Sequence, residues 1–356
     1  MSALSKTKLV TVICWAVSAV ALLGLVLWFL LSGVFNIGFG WDLGLGTFEP
    51  VGTHRVAADN IDTLDVDWTS GAVTIGTHHG DEIVITELAQ RSLRDDEALW
   101  LSTDGGTLTI RFMERSVIRV GNVLTKQLEI LIPYALSQDF ERFGVNTTSG
   151  RIVINHIQST TFSASTTSGR IELRDITAQS LNANTTSGRI EVLGAEAEDI
   201  SLRTTSGRIE LRRMTAQTIT ATATSGRIEI FGAEAEDIFL HTTSGRIEAR
   251  DTEAQRLQTH TGSGRHELFG SFGYVNARST SGRLEIVSQI VPQSVIAQAT
   301  SGRIELTVPA EEAISVQHST GSGRFSSEIP IITHGGADAQ FNLSTSSGRI
   351  SIFALR

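Results

Sequence analysis

The chain has 356 residues, and its 29 Lys and Arg against 38 Asp and Glu give a formal net charge of −9. That acidity, with lysine only at Lys6, Lys8 and Lys126, excludes a phosphate-tracking basic stripe and therefore general nucleic-acid binding. Cys14 is the only cysteine and lies in an apolar run, so disulfides, thiolate metal sites and a cysteine nucleophile are excluded, while 33 Gly, 5 Pro and 40% apolar residues fit an ordered chain rich in tight turns.

In chain order, residues 1–8 read as a short cytoplasmic tail. Leu9 to Leu31 carries no charge over 23 residues, enough for a helix to cross about 30 Å of hydrocarbon. This run exceeds the roughly 7 to 15 apolar residues of a cleaved signal, and no small-x-small cleavage site follows it, so residues 9–31 are expected to be an uncleaved transmembrane helix. Lys6 and Lys8 precede the run and the first charge after it is Asp42, which orients the amino terminus to the cytoplasm and the bulk of the chain outside the cell membrane. Residues 32–60 interleave Gly38, Gly40, Gly44 and Gly46 with Phe39, Trp41 and Phe48, the composition of a juxtamembrane linker with interfacial aromatics.

Residues 61–140 alternate as strands at Ile61 to Trp68, Ala72 to Thr77, Glu82 to Glu87, Thr107 to Phe112 and Gln127 to Ile132, without a fixed period. They read as an irregular start or cap of a longer β-structure. His78 and His79 have no second ligand motif nearby and read as a loop.

Residues 141–356 are organised by a repeat. Ser-Gly-Arg occurs eleven times, with glycine spacings of 19 six times and then 18, 20, 21 and 25. A period near 19 is too short for a helical hairpin and matches one rung of a β-solenoid. The regular copies carry Gly150 and Arg151, Gly169 and Arg170, Gly188 and Arg189, Gly207 and Arg208, Gly226 and Arg227, Gly245 and Arg246. Two and four residues after each glycine stand mostly Ile, Leu or Val, and twelve residues after it stand Phe162, Leu181, Ile200, Ile219, Ile238 and Leu257. The alternation predicts two sheets facing one core. Arg one residue after the glycine and Glu three after it then point outward as exposed columns of opposite sign, a lattice that fixes register more than it adheres. The glycine is expected to supply positive φ at a bend. A second period of 38 overlies the first, since GAEAEDI stands at Gly194 to Ile200 and again at Gly232 to Ile238. Its carboxylates, Glu196, Glu198 and Asp199 with Glu234, Glu236 and Asp237, could hold Ca²⁺ but read better as solvated turns.

No cofactor is implied. His241 and His260 fall at equivalent positions of adjacent rungs, about 4.8 Å apart, and are weak candidates for a shared divalent ion whose shell they cannot complete alone. The last rung in the sequence carries Ile350, Ile352, Phe353 and Leu355, and the insert Ile329 to Gln340 is expected to fold over it as a cap.

An amino-terminal apolar span, a segment IDTLDVDWTSGAVTI, EILIP at Glu129 to Pro133 and TTSGRIEL-type rungs together resemble the bacterial putative-adhesin family of membrane-anchored β-strand repeat proteins. The resemblance implies an all-β, extracytoplasmic β-helix-like domain acting in adhesion or as a cell-envelope scaffold. Its partner would be a cell-wall glycan or an envelope protein. An envelope-stress regulator or sensor, and less readily a carbohydrate-active β-helix enzyme, remain as alternatives. Glycosidase chemistry needs a unique acid and base that break the pattern, whereas nearly every acid here belongs to a column, so the chain reads as a non-enzyme.

Overall fold

The computed structural model describes residues 47–114, 124–310, 314–332 and 339–355. The expected tail and transmembrane helix at residues 1–31 lie outside them. Among the described residues no helix is long and apolar enough to cross a membrane. The compact unit Phe48–Arg356 is built from strands β1 (Glu49–Ala57), β2 (Thr63–Ser70), β3 (Val73–His78), β4 (Glu82–Ala89), β5 (Trp100–Asp104), β6 (Thr107–Arg111) and β7 (Lys126–Pro133). There follow β8 (Phe140–Ser244), β9 (Ile247–Ser263), β10 (His266–Ser288), β11 (Ser294–Pro309), β12 (Ile314–Ser327), β13 (Ile331–Ile332) and β14 (Ala339–Leu355). β1 occupies the end of the expected linker and pairs antiparallel with β4.

The repeat stacks in parallel register. Ile228 pairs with Ile247, Ile247 with His266, and Leu284 with Ile304, so each rung sets its inward side chains over those of the rung before. In the rung that starts at Gly207, Ile209, Leu211, Met214, Ile219, Ala221 and Ala223 are all buried. Their alternation slips between Leu211 and Met214, again before Ile219, and once more before the next rung's Ile228. A strand keeps strict alternation, so each slip is a bend, and the rung has three short faces rather than the expected two sheets. The first bend is a residue in the left-handed region six positions after the glycine: His156, Asp175, Gly194, Arg213, Gly232 and Asp251, with φ of 57, 51, 76, 57, 65 and 49°.

The Ser-Gly-Arg glycines serve close approach more than turn geometry. A Cβ on Gly226 would lie 1.8 Å from the carbonyl oxygen of Gly207, and one on Gly245 would lie 1.7 Å from that of Gly226. No side chain fits where each glycine sits directly on the next, and the column begins at Gly71, whose Cβ would meet the Lys126 carbonyl oxygen at 1.9 Å.

Chain order and stacking order part company at both ends. β2 pairs with β6 on one side and β8 on the other, and β3 likewise lies between β7 and β8, so the first rung in sequence is second in space. β14 pairs with β11 on one side and β12 on the other, so the last strand in sequence is also second in space. This corrects the expected end of the stack: Ile350 and Ile352 are buried beneath β12, and β12 is the outer rung. Of the expected cap, Ile331 and Ile332 pair with Ile314 and Ser315 of β12, while residues 333–338 lie outside the described residues. At the first end β1 and β4 extend the sheet beyond β7, and β5 pairs antiparallel with β6.

Candidate functional site

Alternation places Arg at the first position of every Ser-Gly-Arg rung and Glu at the third position of the eight rungs from Glu172 to Glu305 on one outward face, but the two columns are not equally exposed. Glu229 has 8% of its side-chain surface exposed and Arg227 has 41%. The guanidinium groups lie over the carboxylates, which corrects the expectation of exposed pairs. Arg227 donates to Glu229 at 2.9 Å within its rung, and Arg208 reaches Glu229 across rungs at 3.6 Å. Arg246 and Arg283 repeat the double contact, with Glu248 and Glu267, and with Glu285 and Glu305. At Glu172, burial pushes the carboxyl up, but Arg151, Arg170 and Arg174 outweigh it and hold it below the usual carboxylate range. Beside these columns, Arg212 lies 4.7 Å over the ring of Phe231 and Arg250 lies 4.9 Å over Phe269. Most charges of this face are paired within it.

Gly150, Gly169, Gly188, Gly207, Gly226 and Gly245 with their arginines therefore form the seam and one face, and none converges on a single point. His241 and His260 do come together, with ring centroids 5.0 Å apart and planes within 2° of parallel. A metal binds imidazole nitrogen in the ring plane, and two planes stacked face to face share no such point, so this pair holds no common ion without rotating. Burial lowers the pKa of His260, with His241 and Arg278 adding to the effect. Among the described residues no group of three His, Cys, Asp or Glu is placed to hold a metal. His78 closes β3 rather than lying in the expected loop, which begins at His79; its Nε2 lies 2.8 Å from the Glu82 carbonyl oxygen and its Nδ1 accepts from the Gly80 N–H at 3.1 Å.

Two features were hidden in the pattern. His266 replaces the usual Ile of its column and is fully buried; its Nδ1 lies 2.7 Å from Thr259 Oγ1, and burial, then His260, pushes its pKa down to about 3. Lys126 is also fully buried, with Nζ 2.6 Å from Glu87 Oε1 and donating to the carbonyl oxygens of Glu97 (2.6 Å) and Phe112. The rings of Phe112 and Trp68 lie 4.1 and 5.1 Å from that ammonium. Burial lowers the Lys126 pKa, and Glu87 opposes it.

The short second face carries a groove of about 520 Å³ that crosses successive rungs. Its floor is Ala178, Ala197 and Ala216, its flanks are the exposed residues eight and ten positions after each glycine, and Gln138, Asp139 and Phe140 close one end.

A model of the Toastrack DUF4097 family matches residues 61–249 and again 212–353. No curated protein matches the chain. Among solved structures, a "putative lipid binding protein" of Parabacteroides distasonis aligns at 12% identity over 84% of this chain and 96% of that one, with a TM-score of 0.37. A "putative adhesin" of Bacteroides fragilis aligns at 11% over 85% and 96%, TM-score 0.30, and one of Parabacteroides merdae at 10% over 85% and 95%, TM-score 0.33. At those scores the likenesses carry no argument about this chain's role.

Proposed function

The chain belongs to the Toastrack DUF4097 family, and from that premise we propose that it is an adhesin-like interaction scaffold of the cell envelope, anchored by residues 9–31 and exposed outside the membrane. The observation that carries the reading is repetition. Successive rungs present their outward groups at equivalent places, with Arg and Glu recurring on one face in eight of them, and such a surface suits an extended or repeating partner better than one reacting bond. The acids that a hydrolase would need as a unique pair are shared among columns, and most on the first face are clamped by arginine. Lys6 and Lys8 ahead of the apolar run support the orientation, and the negative charge of the exterior part suits a soluble display domain.

Labelling and retention test the two halves of this reading. Ile290, exposed at 48%, is replaced by Cys in a Cys14→Ser background, and a membrane-impermeant maleimide is added to intact cells. Labelling without lysis is expected; labelling only after lysis overturns the placement. The full-length protein should co-sediment with a cell-wall or envelope-protein fraction, and recovery with neither overturns the scaffold role.

A further inference from the structure

The two outward faces of the rungs differ in what they leave unused. On the first, guanidinium and carboxylate groups are donors and acceptors to one another. On the second, Gln158, Thr177, Gln179, Glu196, Glu198 and Gln217 make no side-chain hydrogen bond or ion pair among the described residues, although they stand in two ordered columns beside the alanine floor. The columns are two residues apart along the strand, about 6.8 Å, and repeat every rung at about 4.8 Å. Rows of free polar side chains over a smooth floor are a binding geometry in search of a ligand with many hydroxyls.

The composition of the rows narrows the ligand. Rungs with Thr177 and Gln179, or Thr215 and Gln217, offer hydroxyl and amide groups that both donate and accept. The rungs between them offer paired carboxylates, Glu196 with Glu198 and Glu234 with Glu236, which only accept. From Thr177 to Glu236 the groove thus alternates with a two-rung period of about 9.6 Å, and the rung of Gln158 and Thr160 adds a second neutral one at its end. An extended β-linked sugar chain advances by close to one rung per ring, so its disaccharide repeat matches that period. Carboxylates on every second rung repel acidic sugars and phosphate polymers, and accept hydroxyl or ammonium donors. A peptide strand is disfavoured, because strand addition needs open backbone groups and those of the groove floor are already paired in the parallel ladder.

We propose that this groove binds a linear neutral or amine-bearing glycan along the stacking direction, a reading that rests on the envelope role and assigns it a site. Four or five sugars would span the rungs from Gln158 to Glu236.

Titration calorimetry tests this on the full-length protein in a detergent without a sugar headgroup, with three probes: hexa-N-acetylchitohexaose, its fully deacetylated hexamer and hexagalacturonate. The first two should bind, their disaccharides at least tenfold more weakly, and the third should not. Gln179→Ala with Gln217→Ala should weaken both hexamers about tenfold while leaving the circular dichroism spectrum unchanged. Glu198→Gln should spare the acetylated hexamer and weaken the amine form severalfold. Absence of heat with both chito-oligomers at millimolar concentration, equal affinity for hexagalacturonate, or indifference to the glutamine pair overturns the groove. Retention on the wall fraction with no oligomer bound would sink this site and leave the scaffold role standing; oligomer binding without retention would do the reverse.

Discussion

The two ends of the stack solve one problem with opposite chemistry. At the first end an antiparallel group of strands covers the opening rungs, and its centre is a charge: Lys126, held by Glu87, two carbonyl oxygens and the faces of Trp68 and Phe112. At the other end a rung of the repeat itself is the cover. In β12 the inward columns change character, with Ser327 where Ile or Leu stands in most rungs and with His318 stacked 3.8 Å from Phe325 over the buried Leu343 and Ile350. One end is specified by a pair that tolerates no partial loss. The other fades from apolar to polar, and each of its residues matters little.

Breaking the first end should have the largest effect. Lys126→Met leaves Glu87 buried without its cation and should cost about 3 to 5 kcal/mol. Hydrogen exchange should rise in β4 to β7 and stay unchanged in β11, β12 and β14. Lys126→Met with Glu87→Leu should recover much of the loss, and failure of that rescue would mean the pair does more than balance charge.

Acid should separate the ends next. His266 lies toward the second end and is buried neutral, with a folded pKa of about 3 against an ordinary 6.5. Below pH 6.5 the unfolded chain takes the proton first, so stability falls as pH drops from 6.5 towards 3, by about 2 kcal/mol at pH 5. Glu97, held below the usual carboxylate range by Arg91 and Arg94, keeps its contribution down to its ordinary value of 4.5 and loses it progressively below that. Denaturation midpoints between pH 7 and 5 should therefore fall in the native chain and fall less in His266→Leu, where the depressed His260 still contributes.

A smaller effect belongs to the outer rung. His318→Ala removes an exposed ring stack and should cost about 1 kcal/mol or less, read from the same denaturation curves. The smallest perturbation tests order alone. With Cys14 replaced, Gln298→Cys with Ser344→Cys should oxidise to a disulfide, since these residues pair directly, whereas Gln298→Cys with Ser319→Cys should not, being two rungs apart. The reverse result would place the last strand outside β12.

The rungs were legible because two periods reinforce one another: alternation named Ile209 and Leu211 as inward, and the fixed spacing repeated the assignment rung after rung. The third face was not, because the residue at the first bend varies among His156, Asp175, Gly194 and Arg213 while its conformation does not. Backbone shape is kept there without a residue type to signal it. The depth of the glutamate column was also hidden, since alternation gives direction and says nothing of what an arginine folds across. Stacking order at the ends was illegible for a deeper reason. Every rung shares one register, so Ile304 can pair with Ile350 or with Phe325 through the same ladder, and the sequence carries no mark of which neighbour is chosen. The groove's acidic flanks, Glu196 and Glu198 among them, read as solvated turn residues because a sequence shows polarity and not whether a partner meets it.

The seat of β14 also decides how the domain carries load. A tension applied at Leu355 pulls on a strand gripped on both sides, from Ser294 to Pro309 along one edge and from Ile314 to Ser327 along the other. Two ladders must part together before that strand slides free, where a strand on the rim would peel from a single one. Rupture would then be slow along this direction.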